Sequence, residues 1–343
     1  MVVKNRYLLI FIREINFEFM KLSVVVPTLN RLEYLKITLK HLMPQIKRNL
    51  NNVELCISIN ASGDDTEAYI KSLKDENSFI NYKSFTKRVE ICESFSRSID
   101  LCNGDYIMIF GDDDIAAPYM IESILEVLDN SLNIGLIHFN RLVGSDVGLT
   151  LMNKLRLEQP NYDSVIENNN LSNFIKKYTV SPGFISALVF KKEAWDLGEY
   201  FDTSNHFGYD FLGRIFAGIH KLTLANCLYI SYPLVIQRMV KNREWNDTWP
   251  KYWLVGVPNL LQSFDKSKIT DNAMNTWHKE LNISWIKLIY TLLWASTYKD
   301  KYKPLVPQIQ KYQGSLLRKL AVFTVINFSP SFVFKQIRKY LYK

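Results

Sequence analysis

An α/β fold, with a mostly parallel sheet flanked by helices, is predicted by three observations. Short β-branched runs alternate with segments of helical period over residues 22–128. The strand-like runs end in polar turns that lead into helices, not in the tight hairpin signals of an antiparallel meander. Beyond about residue 250 the chain turns aromatic, basic and helical. Alternating strands and helices bury a parallel sheet from both faces.

Leu22–Val26, closed by Pro27, reads as a buried strand ending in a turn. Leu32, Leu35, Leu39 and Leu42, at spacings of three and four, form the apolar stripe of a helix. A second strand, Val53–Ile59, ends in the turn Asn60–Asp65. Helical period resumes over Thr66–Leu73 and over Val89–Leu101, where Ile91, Phe95 and Ile99 share a face. Asn103-Gly104 stops that helix, and Tyr106–Phe110 reads as a third strand. Pro118 opens a helix with Ile121, Ile124, Leu125 and Leu128 inward. After Ile134–Phe139 the pattern loosens into an excursion over 141–180, and a firm strand returns at Ile185–Phe190.

Gly111-Asp112-Asp113-Asp114 follows the third of these strands. Three adjacent carboxylates repel one another, so a site usually retains them only with a compensating cation. Mg²⁺ and Mn²⁺ prefer oxygen ligands and often share them with substrate phosphates. The trio therefore points to a metal-dependent site for a diphosphate compound; the competing reading is an acidic turn that caps the next helix. In parallel α/β sheets ligands sit at the carboxyl ends of the strands. Convergence of Thr28–Arg31, Asn60–Asp65 and Asp112–Asp114 there favours the site.

Composition bounds the rest. The chain has 343 residues, 48% hydrophobic, which is enough for a full core and excludes disorder as the main state. Cys56, Cys92, Cys102 and Cys227 form no C-x-x-C pair and the histidines no H-E-x-x-H, so neither a disulfide framework nor a zinc site is indicated. The net charge of +8 suits a polyanionic partner. Residues 299–343 interleave many Lys and Arg with Leu, Phe, Val and Tyr, which fits a membrane surface better than a nucleic-acid groove. Core helices over Ile283–Ala295 and Leu316–Phe334 are the alternative. No segment reaches the roughly 20 apolar residues of a membrane span. Tyr7–Ile12 is too brief for a secretory core, so the expected location is cytoplasmic, peripheral on the inner membrane face.

Leu22–Arg31, Ile57–Thr66 and Gly104–Asp114 with Pro118 resemble the family 2 glycosyltransferases of the GT-A fold, well over residues 21–130 and loosely over 180–240. The Gly-Asp-Asp-Asp form is most similar to enzymes of bacterial O-antigen or capsule synthesis, including the abequosyltransferase-like group. The resemblance implies a GT-A catalytic domain over 21–245; Met20 leads directly into the first strand, so residues 1–20 read as an N-terminal extension, and the aromatic, helical pattern makes 246–343 a C-terminal region. The resemblance also implies transfer, with inversion, of a sugar from a nucleotide-sugar donor to a lipid-linked glycan acceptor.

Carried over by position, the resemblance puts Pro27 and Thr28 in the wall around the nucleotide, with Asn30 beside it. Asp112 contacts the ribose, and Asp113 holds Mg²⁺ or Mn²⁺ with Asp114 as second ligand or support. Arg97 faces the nucleotide or the solvent. Ile59 stands where the family usually has a base-binding Asp, which shifts that role to Asn60 or elsewhere and leaves a cytidine or deoxythymidine donor open beside uridine. Asp210, in Tyr209-Asp210 ahead of Arg214, is the candidate catalytic base, with Asp202 in reserve. Two rival readings stand beside this one. A nucleotidyltransferase would carry a Gly-rich phosphate loop where this chain has Pro27–Arg31, and a catalytically altered binding protein of the same fold is consistent with Ile59 and Tyr209.

Overall fold

The computed structural model describes residues 22–130, 133–146, 152–157, 165–168, 184–198, 210–222, 225–239, 249–251, 254–255, 285–311, 313 and 315–330. The expected extension over 1–20, Tyr209, Asp202 and most of the 141–180 excursion lie outside these residues. The chain divides into two compact units. One comprises residues 1–164, 185–193 and 229–238; the other comprises 165–184, 194–228 and 239–343.

The first unit opens with β1 (Leu22–Thr28), α1 (Leu32–Arg48), β2 (Val53–Asn60), α2 (Thr66–Glu76) and β3 (Ile80–Phe85). It continues with α3 (Ile91–Ile99), β4 (Tyr106–Ile109), the two-residue β5 (Ile115–Ala116), α4 (Met120–Asn130) and β6 (Ile134–Asp146). Next come β7 (Met152–Leu157) and, after a 3₁₀ turn over Ile185–Ala187, β9 (Leu188–Lys191); β8 (Val165–Asn168) falls between these in sequence. With β10 (Asn226–Met239), the sheet runs in the order β3-β2-β1-β4-β9-β6-β10-β5.

Strands β3, β2, β1 and β4 are parallel, in the register Val25 opposite both Cys56 and Ile109. The other half is antiparallel: β9 pairs against β4 and β6, β7 against β6, and β5 against β10. The sheet is thus mixed, and β3, which the sequence pattern did not mark, makes the strand before the acidic trio the fourth. Its sequence, Ile80-Asn81-Tyr82-Lys83-Ser84-Phe85, is an edge strand with only Ile80 fully buried, so it lacks the apolar run of a central strand.

Leu22, Val24, Val25 and Val26 of β1 are fully buried, as are Leu55, Cys56, Ile57 and Ile59 of β2. Helix α1 covers them with Leu35, Leu39, Leu42 and Ile46. Each such side chain contributes about 1.5–3 kcal/mol relative to exposure, and this core fixes where the strand ends emerge.

In the second unit, α5 (Lys192–Leu197) packs on α6 (Asp210–Lys221) where a Cβ on Gly218 would meet the Ala194 carbonyl at 1.6 Å, so only glycine permits the approach. Helices α7 (Trp285–Ser296), α8 (Lys299–Tyr302), α9 (Val306–Lys311) and α10 (Leu316–Phe328) share a core of Leu288, Leu292, Ala295, Tyr302, Val306, Ile309, Val322 and Ile326, to which Leu254 and Val255 belong. The C-terminal basic segment thus contributes buried side chains.

Candidate active site

The carboxyl ends of β1, β2 and β4 bring the three polar turns together by direct hydrogen bonds. Asn30, in the left-handed region at φ 53°, accepts from the Gly63 N–H at 2.7 Å through Oδ1, and its own N–H donates to Ser62 Oγ at 3.0 Å. The Leu32 N–H donates to Asp64 Oδ2 at 3.3 Å. These contacts join the turn after β1 to the turn after β2. Thr28 Oγ1 donates to Asp112 Oδ2 at 2.8 Å, joining the first turn to the acidic trio.

The trio itself is held from several sides. Arg31 Nη1 donates to Asp112 Oδ1 and to Asp113 Oδ2, each at 3.1 Å. Thr38 of α1 donates to the carbonyls of Asp112 and Asp114, both at 2.8 Å. Ser186 Oγ accepts from the Gly111 N–H at 2.8 Å and donates to Asp114 Oδ2 at 2.6 Å. Arg238, buried at 1% exposure, donates through Nε to the Asp113 carbonyl and through Nη2 to the Tyr34 carbonyl at 3.3 Å. Its guanidinium lies 5.1 Å from the Tyr34 ring centroid.

These environments separate the three acids. Asp112 and Asp114 are buried, whereas Asp113 keeps a partly exposed carboxylate. Burial pushes the Asp112 carboxyl up to about 6; the Asp113 charge adds to the rise, and Arg31 and Thr28 oppose it. A Cβ at Gly111 would lie 2.7 Å from Asp114 Oδ2 and 3.2 Å from Ser186 Oγ, so one or both of these side chains would have to shift.

Oxygen donors of this kind suit Mg²⁺ or Mn²⁺. Asp112 Oδ1 and Asp113 Oδ2 already converge on one cationic nitrogen, so the pair facing a common cation is Asp112 with Asp113, while Asp114 turns to Ser186. Among the described residues no group of three or more His, Cys, Asp or Glu is arranged to hold a metal ion. Two protein carboxylates are the usual complement for Mg²⁺, which takes its other ligands from water and substrate phosphates.

The remaining candidates are placed as follows. Pro27 lies in β1, directly before Thr28. Asn60 is buried and its amide is engaged by Val89: Nδ2 donates to the Val89 carbonyl at 2.9 Å and Oδ1 accepts from the Val89 N–H at 3.0 Å. Asn60 thereby pins the loop ahead of α3. Arg97 pairs with Glu93 at 2.5 Å, donates to the Lys87 carbonyl at 3.3 Å and lies 5.2 Å from the Phe85 ring centroid. Asp210 is the first residue of α6, in the second unit, and its side chain lies outside the described part. Arg214 of the same helix donates to the Trp195 carbonyl at 2.9 Å and stacks on the Trp195 ring at 4.0 Å.

Sequence reasoning passed over Thr38, Ser186 and Arg238. Arg238 carried a signal, a lone cation ending the apolar run Leu234-Val235-Ile236, because a charge in a buried strand must find a partner. Thr38 and Ser186 carried none, since a hydroxyl in an apolar stripe usually answers a local carbonyl.

A parallel half-sheet whose strand ends gather polar turns around an aspartate trio, two of them paired with Arg31, is an α/β fold of the GT-A type. The Glycosyl transferase family 2 description matches residues 23–184. The chain is 34% identical over 228 residues to abequosyltransferase RfbV of Salmonella typhimurium, a match covering 64% of this chain and 67% of that protein. The chain therefore belongs to glycosyltransferase family 2.

Solved structures agree on the fold. TarS of S. aureus superposes with a TM-score of 0.58 at 10% identity, over 92% of this chain and 55% of that one, so this chain spans about half of that TarS chain. TarS 1-349 in complex with UDP-GlcNAc gives 0.54 at 11% identity, over 92% of both chains. The mannosyltransferase PcManGT from Pyrobaculum calidifontis, in complex with GDP-Man and Mn²⁺, gives 0.51 at 14%, over 94% of this chain and 84% of that one.

Proposed function

We propose that this family 2 glycosyltransferase moves a sugar from a nucleotide-diphosphate donor to a hydroxyl of a glycan acceptor in bacterial surface polysaccharide synthesis, with inversion at the anomeric carbon. The observation that carries the reading is the meeting of Thr28, Arg31 and Asp112 at adjoining strand ends, where a parallel sheet receives its ligand. The abequosyltransferase relative supports sugar transfer, and the UDP-GlcNAc and GDP-Man complexes support a nucleotide-sugar donor.

In this reading Pro27, Thr28 and Asn30 wall the nucleotide, with Asn60 and Arg97 bordering it, and Asp112 accepts from the ribose hydroxyls. Asp113, with Asp112 or Asp114, would hold Mg²⁺ or Mn²⁺. Held there, such a cation would supply charge stabilisation to the diphosphate leaving group. Asp210 takes the proton of the attacking hydroxyl, as general-base catalysis requires. Direct displacement needs no covalent nucleophile and inverts the anomeric centre.

The acceptor is a glycan on a polyprenyl diphosphate, and the enzyme works in the cytoplasm against the inner membrane face. No helix among the described residues is long and apolar enough to cross a membrane; the membrane reading is one of surface association, which the basic and aromatic C-terminal residues support. A second reading, a binding protein of the same fold without transfer, is favoured only by the buried Ile59 and the engaged amide of Asn60.

Calorimetric titration with UDP, dTDP, CDP and GDP in the presence of Mn²⁺ tests the donor site. One nucleotide is expected to bind, and failure of all four sinks the transferase reading. Asp113→Asn should abolish Mn²⁺-dependent donor hydrolysis or transfer; retention of full activity removes Asp113 from the metal role.

A further inference from the structure

Helix α10 exposes five large apolar residues where a soluble surface helix normally presents polar ones. Its inner face buries Val322 and Ile326 in the core shared with α7 to α9. On the outer side Leu316 and Leu317 are 72% and 69% exposed, Leu320 and Phe323 nearly half exposed, and Phe328 69% exposed. At about 100° per residue, Leu316, Leu320 and Phe323 form one stripe, with Leu317 and Phe328 beside it. Trp285 of α7, 44% exposed, adds an aromatic ring, with the Arg318 guanidinium 5.4 Å from its centroid.

The charges on α10 itself have one sign. Lys319 borders the stripe, Arg318 lies beyond Leu317 on the side of Trp285, and Lys299 reaches the helix end, donating to the Asn327 carbonyl at 3.4 Å. The sequence of α10 contains no acid, and between Lys299 and Lys343 the only acid is Asp300. A contiguous apolar patch of this kind marks an interaction surface. A second copy of the chain would set one cationic rim against another, whereas an anionic bilayer accepts both the leucines and the rim.

We infer that the outer face of α10, with Trp285, is a membrane-docking surface that seats this protein on anionic lipid. It rests on the membrane reading above and names the face responsible. Leu317 and Phe323 would enter the headgroup boundary, while Arg318, Lys319 and Lys299 meet lipid phosphates.

The test is sedimentation of the full chain with phosphatidylcholine vesicles, with and without phosphatidylglycerol, together with nucleotide titration of the same sample. The wild type should pellet with the anionic vesicles, weakly with the neutral ones, and less as salt rises. The double variant Leu317→Gln, Phe323→Gln replaces exposed side chains only, and its partition should fall at least tenfold with circular dichroism unchanged. Arg318→Glu with Lys319→Glu should lower binding to anionic vesicles selectively.

Wild-type protein that stays in the supernatant overturns the inference, as does a double variant that pellets like the wild type. A wild-type dimer that the double variant converts to monomer makes the face a self-association surface and also overturns it. Protein that pellets as expected yet binds no nucleotide supports the docking surface while removing the donor reading.

Discussion

Arg31 Nη1 stands 3.1 Å from Asp113 Oδ2 and the same distance from Asp112 Oδ1, so a side chain of the first turn bridges two acids after the fourth strand. A divalent ion that uses those oxygens has to displace the guanidinium. Arg31→Gln should therefore bind Mn²⁺ more tightly than the wild type when no nucleotide is present. A gain on the order of tenfold, about 1.4 kcal/mol, is expected. Electron paramagnetic resonance of free Mn²⁺ reads this directly. Weaker binding in the variant would mean that Arg31 orders the two carboxylates without competing for them.

Asp112 gives the site a pH dependence of definite sign. Its folded-state carboxyl is raised to about 6 from an ordinary 3.8, chiefly by burial, so the folded protein binds this proton more tightly than the unfolded chain. Stability from this group is greatest below the unfolded value and falls as pH rises through about 6. Asp112→Asn, which holds a neutral side chain against Thr28 at every pH, should remove that part of the slope. Urea unfolding at several points between pH 4 and pH 7 should show the wild type losing on the order of 2 kcal/mol more than the variant. Parallel slopes would assign the pH dependence to other groups.

Ser186 links two parts of one turn: it accepts from the Gly111 N–H and donates to the buried Asp114. Ser186→Ala leaves that carboxylate without this donor, a change that typically costs about 1–3 kcal/mol. Gly111→Ala should cost at least as much, because its new Cβ would fall 2.7 Å from Asp114 Oδ2. Both variants should lower the urea midpoint, and both should weaken Mn²⁺ or nucleotide binding by moving the turn. A lower midpoint with wild-type binding would restrict Ser186 to a structural role.

Strands β1, β2 and β4 were legible because they are central and buried. Val24 to Val26 and Ile107 to Phe110 have no exposure, so their composition is almost purely apolar. The trio stood out for the opposite reason, since three acids at a strand end break the pattern. What stayed hidden depends on partners distant in sequence. Asn60 was expected at the base, yet its amide is engaged by Val89, 29 residues on. Arg238 crosses 125 positions to reach the Asp113 carbonyl. The antiparallel half was obscured because β6 and β10 are long strands of mixed polarity, in which Asn140, Arg141 and Arg238 are buried beside apolar residues. The α10 segment looked like either core or membrane surface because its apolar residues face both ways.

The assignment of Asp210 as base makes a prediction that separates chemistry from binding. Helix α6, which Asp210 begins, is anchored on α5 at two points: the glycine contact of Gly218 with Ala194, and Arg214 stacked on Trp195 at 4.0 Å. A helix start anchored in this way keeps its position when one terminal side chain changes, so Asp210→Asn should alter proton transfer and little else. Loss of a general base typically lowers the rate about 10²–10⁴-fold. Transfer should fall by that amount while donor affinity, read by calorimetry, stays within about twofold. If donor binding collapses with the rate, Asp210 holds the helix start, whose dipole an acid at this position stabilises. The base should then be sought at Asp202 by the same pair of measurements.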